Sequence, residues 1–132
     1  MQFDSSSPIW TQLVAEFSRR IVTGDWAPGE KMPGVRELAA DLGVNPNTAQ
    51  RALAELERRG LCRSERATGR FVTDDTALID SVRADLATGA ADEFIARVRG
   101  LRMAHEQARA LIDTRWESHE HHTTDLPDGG GD

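Results

Sequence analysis

GVRELAADLGVNPNTAQRALAELERRG, residues 34–60, holds two helical patterns parted by Leu42-Gly43-Val44-Asn45. That spacing swings the second helix roughly 90 to 120° away from the first, as in a helix-turn-helix. Asn45 suits the N-cap, because its side-chain oxygen accepts a free backbone N–H. Pro46 suits the first helical position, because it has no N–H to leave unpaired. On a helical wheel Ala49, Ala52, Leu53 and Leu56 form one apolar stripe, and Asn47, Thr48, Gln50 and Arg51 lie off it at the start of the helix. Those polar types match what a DNA groove offers: Arg51 can fork to guanine, Asn47 and Gln50 can pair with adenine, and Thr48 can meet a phosphate or a thymine methyl. No Asp or Glu interrupts residues 42–54 to repel a phosphate. An ordinary solvated helix face is the alternative, and such a face usually carries Glu among these positions.

Outward from this stretch, Ser7 and Pro8 are expected to open a first helix as N-cap and first position. Ile9, Trp10, Leu13, Val14, Phe17 and Ile21 follow at helical spacing and read as a core-facing stripe, with Trp10 and Phe17 serving packing rather than base stacking. Thr23-Gly24-Asp25 and Ala27-Pro28-Gly29 supply turn chemistry. Glu30-Lys31-Met32-Pro33 is long enough for one extended rung. The next helix begins at Gly34, turns Leu38, Ala39 and Leu42 inward, and carries Arg36 in its first turn, where it either reaches DNA beside the recognition helix or pairs with Asp41 or Glu37.

After the recognition helix, Arg58 and Arg59 complement the negative end of the helix dipole and Gly60 closes the helix. Residues 61–65 and 69–73 then read as two strands around Arg66-Ala67-Thr68-Gly69, a hairpin bearing Arg63, Arg66 and Arg70. Placed after a helix-turn-helix, this is a wing whose tip can meet the minor groove or the backbone, where arginine is favoured. A plain solvent-exposed hairpin is the alternative. The fold class expected is therefore mostly α with a small β-wing, a winged helix-turn-helix over residues 8–75.

From Thr76 the pattern changes. A helix with Leu78, Ile79, Val82 and Leu86 is expected to break at Thr88-Gly89. A second, from about Ala91 to Trp116, would set Phe94, Val98, Leu101, His105, Ala108 and Ile112 at spacings of 4, 3, 4, 3 and 4, a coiled-coil-like seam. So long an apolar stripe has little in this chain to bury against, which makes residues 76–118 a dimerisation region. Residues 119–132 read as a flexible, acidic, His-containing tail. His119, His121 and His122 with Glu117 and Glu120 form a metal-binding run only weakly, since adjacent histidines on a fraying helix lack fixed geometry. His105 reads as a packed or paired histidine. No metal and no cofactor is expected.

Composition narrows the class. The net charge of −6 is unevenly spread: residues 1–75 carry 10 Arg or Lys against 11 Asp or Glu, and residues 76–132 carry 6 against 11. The N-terminal unit is thus near neutral and can present a local basic face. No run approaches the roughly 18 apolar residues of a membrane span, and MQFDSSSPIW has no basic-then-hydrophobic leader, so a cytoplasmic protein is expected. Cys62 is the single cysteine; it excludes an intrachain disulfide or Cys-x-x-Cys site and reads as a small hydrophobe. Nothing resembles a Ser/His/Asp spacing, a phosphate-cradling glycine loop or a framed carboxylate pair, which speaks against an enzyme.

Residues 8–73 resemble the winged-helix domain of GntR-family bacterial transcription regulators. The resemblance rests on the opening Pro-Ile-aromatic helix, Pro28-Gly29-Glu30-Lys31-Met32-Pro33, Val35-Arg36-Glu37-Leu38-Ala39, VNPNTAQRAL and Gly69-x-Phe71-Val72. The short two-helix C-terminal part is similar to the YtrA-type branch, in which it serves dimerisation. What the resemblance implies is a repressor, often of transporter operons, with DNA contacts at Arg36, Asn47, Thr48, Gln50 and Arg51 and wing contacts across Arg66, Thr68 and Gly69. Gly34 stands where a Ser is frequent, weakening a cap, and Ala67 where Gly is common, at a position needing positive φ. The expected partners are double-stranded DNA with a palindromic operator, a second copy of the chain, and a small hydrophobic or cationic effector held between helices or at the dimer junction. Two other classes remain: a metal-responsive regulator using the C-terminal histidines, and a winged-helix protein-interaction module.

Overall fold

The computed structural model describes residues 1–125, with side chains to residue 121. The chain divides into two compact units, the first Met1–Thr88 and the second beginning at Gly89. In the first, α1 (Ile9–Val22), α2 (Val35–Leu42) and α3 (Pro46–Arg58) precede the antiparallel hairpin β1 (Cys62–Glu65) and β2 (Gly69–Val72). The helix α4 (Thr76–Gly100) begins in this unit, and α5 (His105–Asp125) lies in the second. No helix among the described residues is long and apolar enough to cross a membrane.

The first core is built from the stripes read above: Leu13, Val14, Phe17 and Ile21 of α1, Leu38 of α2, Ala52, Leu53 and Leu56 of α3, and Leu61, Cys62 and Val72 of the hairpin, with Trp26 and Met32 from the connection. Phe17 packs on Trp26 with ring centroids 5.5 Å apart. The opening of α1 is displaced by one position from expectation. Pro8 is itself the cap residue, with ψ 147 and no side-chain cap bond, and its carbonyl accepts from the amides of Thr11 and Gln12. Ser7 instead offers its carbonyl to the Gln12 side chain at 2.9 Å.

The turn between α2 and α3 depends on Gly43, which closes α2 at φ 68, a left-handed conformation that costs a Cβ-bearing residue. Two residues on, Asn45 caps α3: its Oδ1 accepts from the Asn47 amide at 2.7 Å, with Pro46 at the first helical position. Replacing Asn45 with alanine removes that bond and is expected to lower stability by about 1 kcal/mol, a drop of several degrees in the thermal midpoint. Asn45→Asp, whose carboxylate can accept the same bond, should keep most of the wild-type stability, and equal melting of the alanine and wild-type proteins would show the cap to be idle.

The hairpin pairs Cys62 with Val72, Arg63 with Phe71, Ser64 with Arg70 and Glu65 with Gly69. Lys31 adds the expected extended rung against Phe71, and the Met32 amide donates to the Arg70 carbonyl at 2.8 Å. At the tip the Thr68 amide donates to the Glu65 carbonyl and Ala67 sits at φ 68, so alanine does occupy the left-handed position anticipated for it. Burial raises the Cys62 thiol to about 11, opposed by Arg70. The lone cysteine therefore behaves as a small core hydrophobe.

The C-terminal helices differ from expectation. The chain does not break at Thr88-Gly89: α4 runs through Gly89 to Gly100, and the turn falls at 101–104. The Met103 amide donates to the Val98 carbonyl and the Arg102 amide to the Arg99 carbonyl, with Arg102 at φ 61, which is a Schellman closure. The Ala104 amide then donates to Gln107 Oε1 at 2.9 Å, half of a capping box that starts α5. The proposed seam is thus divided. Phe94 and Val98 stand on α4, Leu101 is 76% exposed in the turn, and His105, Ala108 and Ile112 stand on α5. A second correction concerns Leu78, Ile79 and Val82. Ile79 belongs to the core of the first unit and the other two pack against it, so they are spent within the chain. Leu86 alone of that set is exposed. Helix α5 also continues past Trp116 to Asp125, which sets His119 and His121 on a helix. The His122 side chain and the segment 126–132 lie outside the described residues.

Candidate nucleic-acid interface

Every residue expected to meet DNA lies in the first unit. Asn47, Gln50 and Arg51 are exposed and Thr48 is half-buried on the first turns of α3; Arg36 is exposed on α2; Arg66, Thr68 and Gly69 are exposed at the wing. The hairpin borders both helices. Gln50, Ala54 and Glu57 of α3 share a groove with Ser64 and Arg70 of the strands. A second cleft is lined by Lys31–Gly34, ahead of α2, and by Ala67, Thr68 and Gly69 of the tip. Arg51 points the other way, toward α1, where its Cζ lies 4.2 Å from the centre of the Trp10 ring.

The arginines of this unit fall into two groups. Arg19 and Arg20 share Glu16, Arg58 and Arg59 share Glu55, Arg63 pairs with Glu65 and Asp74, Arg70 with Glu57, and Arg83 with Asp80. Hydrogen bonds from Arg58 and Arg59 hold the Glu55 carboxyl down to about 2, so the charge of that trio is fixed throughout the neutral range. Arg63 is further tied to the Val72 carbonyl at 3.3 Å. Lys31, Arg36, Arg51 and Arg66 have no carboxylate partner among the described residues. Of the two readings of Arg36, the ion pair with Glu37 or Asp41 is absent. Of the three wing arginines, Arg66 alone keeps its charge unspent.

Lys31 is a residue the sequence reading did not single out. Its neighbour Glu30 is occupied, accepting from the Ala27 amide at 2.6 Å. The Lys31 stem lies under the tip, so close that a Cβ built on Gly69 would come 3.0 Å from Lys31 Cε. Gly69 has φ +118, and it is this backbone conformation, more than the movable lysine stem, that calls for glycine there. The signal was available in Pro28-Gly29-Glu30-Lys31-Met32-Pro33, where the lysine follows a turn and has no acid three or four residues away. Among the described residues no group of His, Cys, Asp and Glu is placed to hold a metal ion.

In the second unit Phe94, Leu111, Ile112, Trp116 and the stem of Arg115, with His119 and Glu120, line an open groove of about 780 Å³. Val98 and Ala108 are buried, whereas Ile95, Ile112 and Trp116 remain 47%, 43% and 67% exposed.

A capped helix following a tight turn, with a two-stranded hairpin at its side, defines a winged helix-turn-helix DNA-binding domain. Comparisons agree: the profile of bacterial regulatory proteins of the gntR family matches residues 10–72. An uncharacterised HTH-type transcriptional regulator, YhcF of Bacillus subtilis, is 34% identical over 86% of this chain and 93% of its own length. The HTH-type transcriptional repressor YtrA of the same organism is 37% identical over 58% of this chain and 60% of its own. Among solved structures, a GntR family transcriptional regulator from Listeria monocytogenes superposes with a TM-score of 0.74 at 38% identity, covering 85% of this chain and 98% of that one. The AraR DNA-binding domain in complex with operator ORX1 superposes with a TM-score of 0.51 at 30% identity, over 55% of this chain and 93% of that one. The chain belongs to the GntR family. It is a transcriptional regulator with a helix-turn-helix DNA-binding domain and not an enzyme.

Proposed function

We propose that this regulator is a YtrA-type homodimeric repressor that reads a palindromic operator through α3, with Arg36 and the wing flanking it. The observation that carries the reading is the division of the cations. Within the first unit, the four without a carboxylate partner among the described residues, Lys31, Arg36, Arg51 and Arg66, stand on or beside α2, α3 and the wing tip. A cation already paired must give up its partner to meet a phosphate or base, and an unpaired one does not. Asn47, Thr48 and Gln50 add neutral donors and acceptors for base edges, and Thr68 and Gly69 bring backbone to the DNA at the tip. The AraR domain held on its operator supports the placement of the fold on DNA, and the repressor YtrA supports repression.

Dimerisation is assigned to the second unit. Its exposed Ile95, Ile112 and Trp116 are unusual on a monomer surface, and the groove beside them suits an apolar helix face of a second copy. Two α3 helices related by a two-fold axis would then address half-sites about 34 Å apart. Control of a transporter operon follows from the resemblance to the YtrA branch, and release would come from a small apolar or cationic compound, for which the acidic C-terminal part leaves room only between helices or at that junction.

The test is binding to a duplex selected by the wild-type protein from a randomised pool, compared with a scrambled duplex. Arg36→Ala and Arg51→Ala are each expected to cost about 1 to 3 kcal/mol of discrimination between the two. Equal losses on both duplexes would reduce these arginines to phosphate contacts. A selection that enriches no inverted repeat would remove the palindromic operator.

A further inference from the structure

We propose that Trp10 is a positioning residue for sequence readout: its indole face holds the Arg51 guanidinium in the orientation that reads a guanine. The inference rests on Arg51 being a base-reading residue. Arg51 Cζ stands over the Trp10 ring, 4.2 Å from its centre, well within cation–π range. By comparison, Arg20 and Arg63 lie 5.5 and 5.7 Å from the rings of Trp26 and Phe71, and both also hold carboxylates. Arg51 has the ring and no acid.

Two features make this contact more than surface packing. Trp10 is half-buried and packs against the core of α1, α2 and α3, so the platform is itself fixed. The partner is also a ring and not an acid, and arginine packs on aromatic faces through its own planar face. All five N–H donors of arginine lie in the plane, and a guanine O6/N7 pair is approached through that plane. A carboxylate would compete for the same edge, as Glu55 does for Arg58 and Arg59. An indole leaves it open. Arginine otherwise loses much rotamer freedom on binding; a side chain already held by a ring loses less, and the gain is realised only where a guanine is present to receive the fork.

The test is a double-mutant cycle on the full chain, using the selected duplex and versions of it with single base pairs replaced. Arg51→Ala first locates the base pair at which discrimination disappears. Trp10→Leu, which keeps apolar bulk, is expected to lower discrimination at that same base pair about three- to tenfold, to leave binding to scrambled duplex unchanged, and to have no further effect in the Arg51→Ala background. Trp10→Phe, which keeps a ring, should retain most of the discrimination. Trp10→Met replaces the leucine variant if that protein does not fold, as judged by its thermal transition. Loss at the Arg51 base pair with Arg51→Ala but not with folded Trp10→Leu overturns the positioning role and leaves base reading by Arg51 intact. A Trp10→Leu effect equal on every duplex, or persisting without Arg51, makes Trp10 purely structural. Arg51→Ala without effect at any base pair removes both.

Discussion

Replacing Leu111 and Ile112 together by aspartate is expected to yield a monomer whose apparent affinity for a two-half-site duplex is lower by a factor of about 10² to 10⁴. Both residues line the groove of the second unit and both are more than a third exposed in the single chain. Charges there disturb little within one copy. Against a second copy they would have to be desolvated without partners, which no interface of modest size absorbs. The large effect on DNA comes from losing the link between two binding events, not from any change in α3. Sedimentation would report the mass, titration of one- and two-half-site duplexes the affinity. Binding to the single half-site should be unchanged, and so should the melting of the first unit. A variant that sediments like wild type, or that loses affinity equally for both duplexes, would overturn dimerisation through this groove.

Phe17→Ala should have the largest effect on folding, about 3 to 5 kcal/mol. The side chain is fully buried, packs on Trp26 and sits at the centre of the stripe that α1 turns toward α3. A domain of this size has about 5 to 15 kcal/mol in total, so much of its stability is at stake, and the thermal midpoint should fall by well over 10 °C. Phe17→Leu, leaving a smaller cavity, should lose clearly less. Below its transition the alanine variant should still bind the selected duplex, because no DNA-facing side chain has changed. A midpoint within a few degrees of wild type would show the core collapsing around the void.

The parts of this fold that depend on local chemistry are legible in the amino-acid order. Asn45-Pro46 marks the start of α3 because cap and first position are each decided by one residue, and Gly69 marks the wing because its backbone admits little else. The C-terminal break was hidden for the converse reason. Gly89 looks like a stop, yet one glycine costs a helix only about 1 kcal/mol, and α4 carries it within 25 residues. The real stop places Arg102, not glycine, in the left-handed position, and the nearby Gly100 is no stronger a signal than Gly89, through which the helix runs. At the candidate interface, the ion pairs of Arg58 and Arg59 with Glu55 follow from spacings of three and four. Those of Arg63 and Arg70 require the hairpin to form first. The seating of Arg51 on Trp10 joins residues from two helices far apart in the chain, and no periodicity announces it.

The division of labour on α3 bears on how such a regulator diversifies. Ala49, Ala52, Leu53 and Leu56 are buried, while Asn47, Gln50 and Arg51 are exposed. Changes at exposed positions of this kind usually shift stability by less than about 0.5 kcal/mol. A duplicated copy of the gene could therefore drift to a new target through a few such exchanges without passing through an unfolded intermediate. Only a change at residue 51 would carry a hidden condition: its partner on α1 would have to suit the newcomer too.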